Sequence, residues 1–179
     1  MRRNISHWQI GGFVFVSVFG SFLHFLFDLT NGSFASALIS PVNESIWEHL
    51  KLLYFPMVFF ALWEYFVWGR GEQAFWQIKL AGISAGLFAI PVLYYTYTGI
   101  SGVNADWLNI TIFFVIAAAV YYLETKFFLR PAKKILPVPL SVFLLIVWGI
   151  ALFLLTFFPP RIPFFQDPVT GTYGFSGSV

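Results

Sequence analysis

Five stretches of the chain are almost continuously apolar, at residues 8–27, 46–68, 78–98, 107–123 and 138–158, and most of its polar residues fall between them. Each approaches the ~20 residues a helix needs to cross ~30 Å of hydrocarbon at 1.5 Å per residue. None shows the ten-residue alternation of barrel strands. Helices and closed barrels are the only structures that satisfy every backbone N–H and C=O without water. The pattern therefore predicts an all-α polytopic membrane bundle of five transmembrane helices, a single domain over 1–158 followed by a tail over 159–179. Within it, Gly82 and Gly86 form a G-x-x-x-G that lets a neighbouring helix approach closely. Pro56 and Pro91 predict bends in the second and third spans.

Composition strengthens this reading. Of 179 residues, 59% are hydrophobic and 10% charged, against roughly 25% charged in a soluble domain. With no cysteine, disulfides, thiolate metal sites and a Cys nucleophile are excluded. A formal charge of +2 is too small to suggest a nucleic-acid partner.

The cations alternate from one inter-span segment to the next. Arg2 and Arg3, then Arg70 and Lys79, then Lys126, Arg130, Lys133 and Lys134 fall on one side; the segments 29–43 and 99–106 hold none. Positive-inside bias predicts a cytoplasmic N-terminus and an outer C-terminus, which the odd span count also requires, with Arg161 the one exception. Arg2 and Arg3 before an apolar run, with Ala35-Ser36-Ala37 beyond it, imitate a signal peptide. The run exceeds the ~7–15 residues of a signal core and predicts a retained helix.

On this topology the ionisable groups gather at the outer ends of the first two spans. His24 and Asp28 lie four residues apart, on one helix face. "SPVNESIWEHLKLLYF", residues 40–55, adds Asn43, Glu44, Glu48, His49 and Lys51. Counted from the span ends, His24 lies ~6 Å deep and His49 ~9 Å. The functional reading is convergence of His24, Asp28, Glu44, Glu48 and His49 on an ion or a small polar or lipid-linked substrate. Glu48 and His49 are then the candidate catalytic acid and base, Asn43 and Lys51 line the site, and His24, His49 and Glu48 are candidate ligands for a divalent metal such as zinc. The plain alternative makes Asn43 an N-cap, sets Glu44 at the positive helix end, and pairs Lys51 with Glu48 one turn away. On the inner side, Glu64, Glu72 and Glu124 are the only acids, and Lys79 reads as the flank of a turn, so the outer half is where a site is expected.

The tail, "PPRIPFFQDPVTGTYG" at 159–174, is too rich in Pro and Gly for a helix or strand, and Asp167 to Gly171 reads as a tight turn. Phe164, Phe165, Tyr173 and Phe175 are aromatic beyond the habit of disordered segments. The tail is expected to pack over the outer mouth as a lid, with Asp167 and Tyr173 near the substrate.

"PVNESIWEHLKLLYFP" at 41–56 together with "PPRIPFFQDPVTGTYG" at 159–174 resembles an uncharacterised family of small multispanning bacterial membrane proteins. The resemblance implies a bacterial cell membrane and carries no activity. The three-His, Ser and Asp zinc site of intramembrane hydrolases of the alkaline ceramidase type finds counterparts only in His24, Asp28 and His49, one ligand short.

Three function classes follow. A pocket protein binding an ion or small molecule, enzymatic or not, fits the outer cluster. A transporter or channel subunit needs a polar path through the inner halves, where the spans offer little beyond Ser84 and Glu64. An accessory subunit needs a membrane partner or a second copy of the chain, and the lipid bilayer is a partner in every case.

Overall fold

A computed structural model describes residues 4–130 and 135–175 of the chain. Arg2, Arg3, Lys133 and Lys134, on which part of the cation pattern rests, lie outside the described residues. Among the described residues six α-helices follow in order: α1 Ile5–Leu29, a single turn α2 Phe34–Ala37, α3 Ile46–Val67, α4 Phe75–Ser101, α5 Asp106–Leu129 and α6 Val138–Phe157. All but α2 are long and apolar enough to cross a membrane. The long helices alternate in direction, so the C-terminal ends of α1, α4 and α6 meet the N-terminal ends of α3 and α5 at one end of the bundle, here called the site end.

Helix α3 is the central rod. It packs on α1, α4 and α6, while α5 packs on α1 and α4. Large side chains such as Phe22, Phe66, Phe88 and Phe143 point outward, as they do when lipid replaces water around a bundle. Between helices there is no hydrophobic drive in such a solvent, so close approach and dispersion hold them. Gly82 and Gly86 supply the approach on α4: a Cβ at Gly86 would stand 2.7 Å from Leu53 of α3 and 3.2 Å from Val120 of α5. Pro56 sits within α3 and has no N–H to give the carbonyl of Leu52. Gly20 brings the α1 backbone against that freed carbonyl, where a Cβ would be 2.7 Å from it.

Two helices run past the apolar stretches that predict them. Helix α5 continues six residues beyond 123, which carries Glu124 into the bundle, and α4 begins three before 78, a turn ahead of Lys79. Lys79, expected to flank a turn, is 1% exposed and ion-paired with Glu64 and Glu124. Opposite charges pair across facing helices, so the polar residues do not end the helices where hydrophobicity alone would.

Candidate metal centre

At the site end α1 closes with Thr30, whose hydroxyl donates to the carbonyls of Leu26 and Phe27. The chain then reverses through Asn31 and Gly32, both at positive φ. Ser40 returns to α1 and enters its backbone ladder. The Ser40 hydroxyl donates to Leu23 O at 2.6 Å and accepts from Phe27 N–H at 3.2 Å, fixing the turn that bears His24.

Helix α3 begins at Ile46, where its apolar stretch begins, and the Asn43 cap of the plain alternative does not form. Ser45, not Asn43, is the N-cap: its Oγ accepts from Glu48 N–H, while Asn43 Oδ1 accepts from Ser45 N–H at 2.9 Å. Glu44 therefore precedes the helix and does not share a face with Glu48. Released from the helix, Glu44 turns toward the histidines. His24 Nε2 and His49 Nε2 lie 3.3 Å apart, and Glu44 Oε2 lies 3.4 Å from His49 Nε2 and 3.9 Å from His24 Nε2. His49 Nδ1 is 2.9 Å from the carbonyl of Ser45. A carbonyl only accepts, so Nδ1 carries a hydrogen, and Nε2 is the nitrogen turned toward the cluster. The hydrogen bond with His49 holds the Glu44 carboxyl below the usual range, against the opposing effect of burial and with the nearby imidazoles assisting.

The triangle borders a cavity of about 470 Å³ between α1, α3, α4 and α5. Its far wall is polar, with Tyr94, Asn104, Asp106 and Asn109, and its floor is apolar, including Leu52 and Phe113. Tyr97 donates to Asn109 and Asn109 Nδ2 donates to Asn104 Oδ1 at 2.8 Å, which locks the far wall. Pro168 and Val169 of the tail form part of the rim.

The other residues singled out from the sequence stand around this centre. Glu48 faces away from the histidines and is buried, as is Lys51. Its Oε2 accepts from Lys51 Nζ at 2.7 Å and from Val42 N–H at 3.1 Å, and its Oε1 accepts from Thr156 of α6 at 2.8 Å. Lys51 donates further to Ala37 O and Ser40 O. This pair ties the segment 37–42 to α3 and α6. Asn43 Nδ2 donates to Gly174 O at 3.1 Å. Asp167 accepts from Val169 N–H at 2.7 Å and from the Thr170 hydroxyl at 2.9 Å, and also from the backbone N–H of Glu44. Burial pushes the Asp167 carboxyl up, but these donors outweigh it and hold the group below the usual range. The tail thus grips the residue before the α3 cap. Tyr173 bridges to Gln166 through its backbone and packs on the core, away from the cavity. Asp28 is exposed and outside the cavity lining.

Sequence reasoning did not single out Ser40 or Thr156, and only their hydroxyls beside long apolar runs offered a signal. A family model described as a family of unknown function (DUF6512) matches residues 1–175. The chain belongs to that family. Neither a curated protein nor a solved structure matches it. Family membership covers both segments that meet here, the stretch around Glu44 to Lys51 and the tail around Asp167.

Proposed function

We propose that this integral membrane protein binds one divalent transition-metal ion, of the zinc kind, through His24 Nε2, His49 Nε2 and a Glu44 carboxylate oxygen, and presents it to a polar group of a small amphipathic molecule in the adjoining cavity. The observation that carries the reading is the triangle of donors, with edges of 3.3, 3.4 and 3.9 Å. Tetrahedral ligands at ~2.0–2.2 Å from an ion stand ~3.3–3.6 Å apart. The His49 Nδ1 bond to Ser45 O is the outer support that metal-bound imidazoles ordinarily have.

Two imidazoles and one carboxylate leave a fourth position open. An ion with an open position polarises a carbonyl or phosphoryl oxygen, or lowers the pKa of bound water to ~7. The apolar floor and the polar far wall suit a molecule with both a hydrocarbon and a polar part. The cation asymmetry supports a cytoplasmic N-terminus, so the cavity faces the outside of the cell membrane.

Cobalt(II) titration of metal-free protein tests the site, because tetrahedral cobalt gives intense visible bands. One equivalent should bind and zinc should displace it. His24→Ala, His49→Ala and Glu44→Gln should each weaken binding by more than the roughly 10–100-fold that losing an outer support costs. Glu72→Gln, an exposed change at the opposite end, should leave it unaltered. Absence of stoichiometric binding, or binding indifferent to both histidines, ends the proposal.

A further inference from the structure

A second charged cluster lies at the end of the bundle opposite the metal centre and is independent of it. Each of four helices contributes: Gln9 from α1, Glu64 from α3, Lys79 from α4, Glu124 and Tyr121 from α5. All five are at most 3% exposed. Lys79 Nζ touches Glu64 Oε2 and lies 2.6 Å from Glu124 Oε2. Gln9 Nε2 donates to Glu64 Oε1 at 2.7 Å. The ammonium otherwise faces rings, its Nζ 5.3 Å from the centroid of Tyr121, 5.6 Å from Phe128 and 5.7 Å from Phe75.

Two carboxylates share a single ammonium here, which leaves one negative charge in the buried interior. Among the described residues no other cation pairs with either acid. An uncompensated buried charge is among the costliest features a fold can carry. Carboxylates forced to share a partner resolve this by sharing a proton.

The hydrogen bonds show the same deficit. Glu64 Oε1 accepts from Gln9, while Glu64 Oε2 meets Lys79 as an ion pair without a hydrogen bond. Glu124 Oε1 and Gln9 Oε1, two acceptors in the cluster, have no donor, and the buried Tyr121 hydroxyl is also without a partner. Helix α4 makes room for the free oxygen: a Cβ at Gly82 would stand 2.5 Å from Glu124 Oε1. A hydron on that oxygen cancels the surplus charge and turns an unpartnered acceptor into a donor. By contrast, Glu48 matches one ammonium and meets donors at both oxygens, so it has neither deficit.

We infer that Glu64 and Glu124 form a binding site for one exchangeable proton, carried on Glu124 Oε1, that joins α1, α3, α4 and α5. Glu64 lies three residues from the end of α3 and Lys79 four from the start of α4. The site is therefore only ~5–6 Å from the helix ends at 1.5 Å per residue, within reach of exchange with the solution on that side.

Infrared spectroscopy of the full chain in nanodiscs at neutral pH reads the proton directly. The protein should show the carbonyl stretch of a protonated carboxylic acid, shifting down in D2O. The band should vanish in Glu64→Gln and in Glu124→Gln, since either change leaves one acid for one lysine, and persist in Glu48→Gln. Lys79→Met removes the cation, and the band should then grow about twofold as both acids protonate. If that variant does not fold, the two glutamine variants decide alone. Absence of the band in the unaltered protein, as when a buried water alone fills the gap, overturns the inference. So does a band that survives in both Glu64→Gln and Glu124→Gln.

Discussion

Replacing Lys51 by Met gives the most direct test of how the site end is held together. Lys51 is fully buried, and its three hydrogen bonds go to Glu48 Oε2, Ala37 O and Ser40 O. Methionine fills similar volume without the charge. It leaves Glu48 as a buried carboxylate stripped of its counter-ion, together with two carbonyls deprived of a donor. Breaking a buried pair from one side costs about 3–5 kcal/mol. Exposed lysines reaching for an interface lose far less, because their pairs are worth about 0–1 kcal/mol. The double variant Glu48→Gln with Lys51→Met removes both charges and should be less destabilised than the sum of the single changes by at least about 2 kcal/mol. Reversible unfolding in mixed micelles, followed by tryptophan fluorescence, measures all three. Lys51→Met within about 0.5 kcal/mol of the unaltered protein, or strict additivity in the double variant, would refute the view that this pair welds the segment 37–42 to α3 and α6.

Other outcomes follow from single contacts. Thr156→Val removes the hydrogen bond to Glu48 Oε1 and should destabilise the fold by about 1.5–3 kcal/mol in the same assay. Gly174 has φ of 59° and would set a Cβ 2.7 Å from the Pro159 ring; Gly174→Ala should cost about 1–3 kcal/mol and make the tail susceptible to limited proteolysis. Asp167 titrates below its ordinary 3.8, so its contribution is present above that pH and is lost as pH falls through the lowered value. Acidification should release the tail, seen as a change in the fluorescence of Trp47, which packs on Phe164 and Phe165, and Asp167→Asn should remove this acid transition. Gly86→Leu should drive α4 off Leu53 and Val120 and lower stability by at least about 1–3 kcal/mol in the micelle assay.

Much of this molecule is legible along its chain. Five apolar runs of about twenty residues leave the backbone no option in lipid except helices, which is why every predicted span matches a helix. The gathering of His24, Glu44, Glu48 and His49 near the ends of the first two spans was visible too, because depth follows from counting residues at a fixed rise. Rotation about a helix axis and the first residue of a helix do not follow from counting. The cap at Ser45 rather than Asn43 moved Glu44 out of the helix and onto the histidines, while the same rod turned Glu48 inward to Lys51 and Thr156. Lys79 and Glu124 looked like loop charges because each sits beside polar residues in its own stretch, although their partners lie on other helices. The sequence by itself determined the rods, their number and which groups share a level, since these are local consequences of hydrophobicity and helical rise. Which charges meet was decided only by the packing of five helices against one another, because an ion pair between distant segments is a property of the assembled interior and leaves no periodic trace in either segment alone.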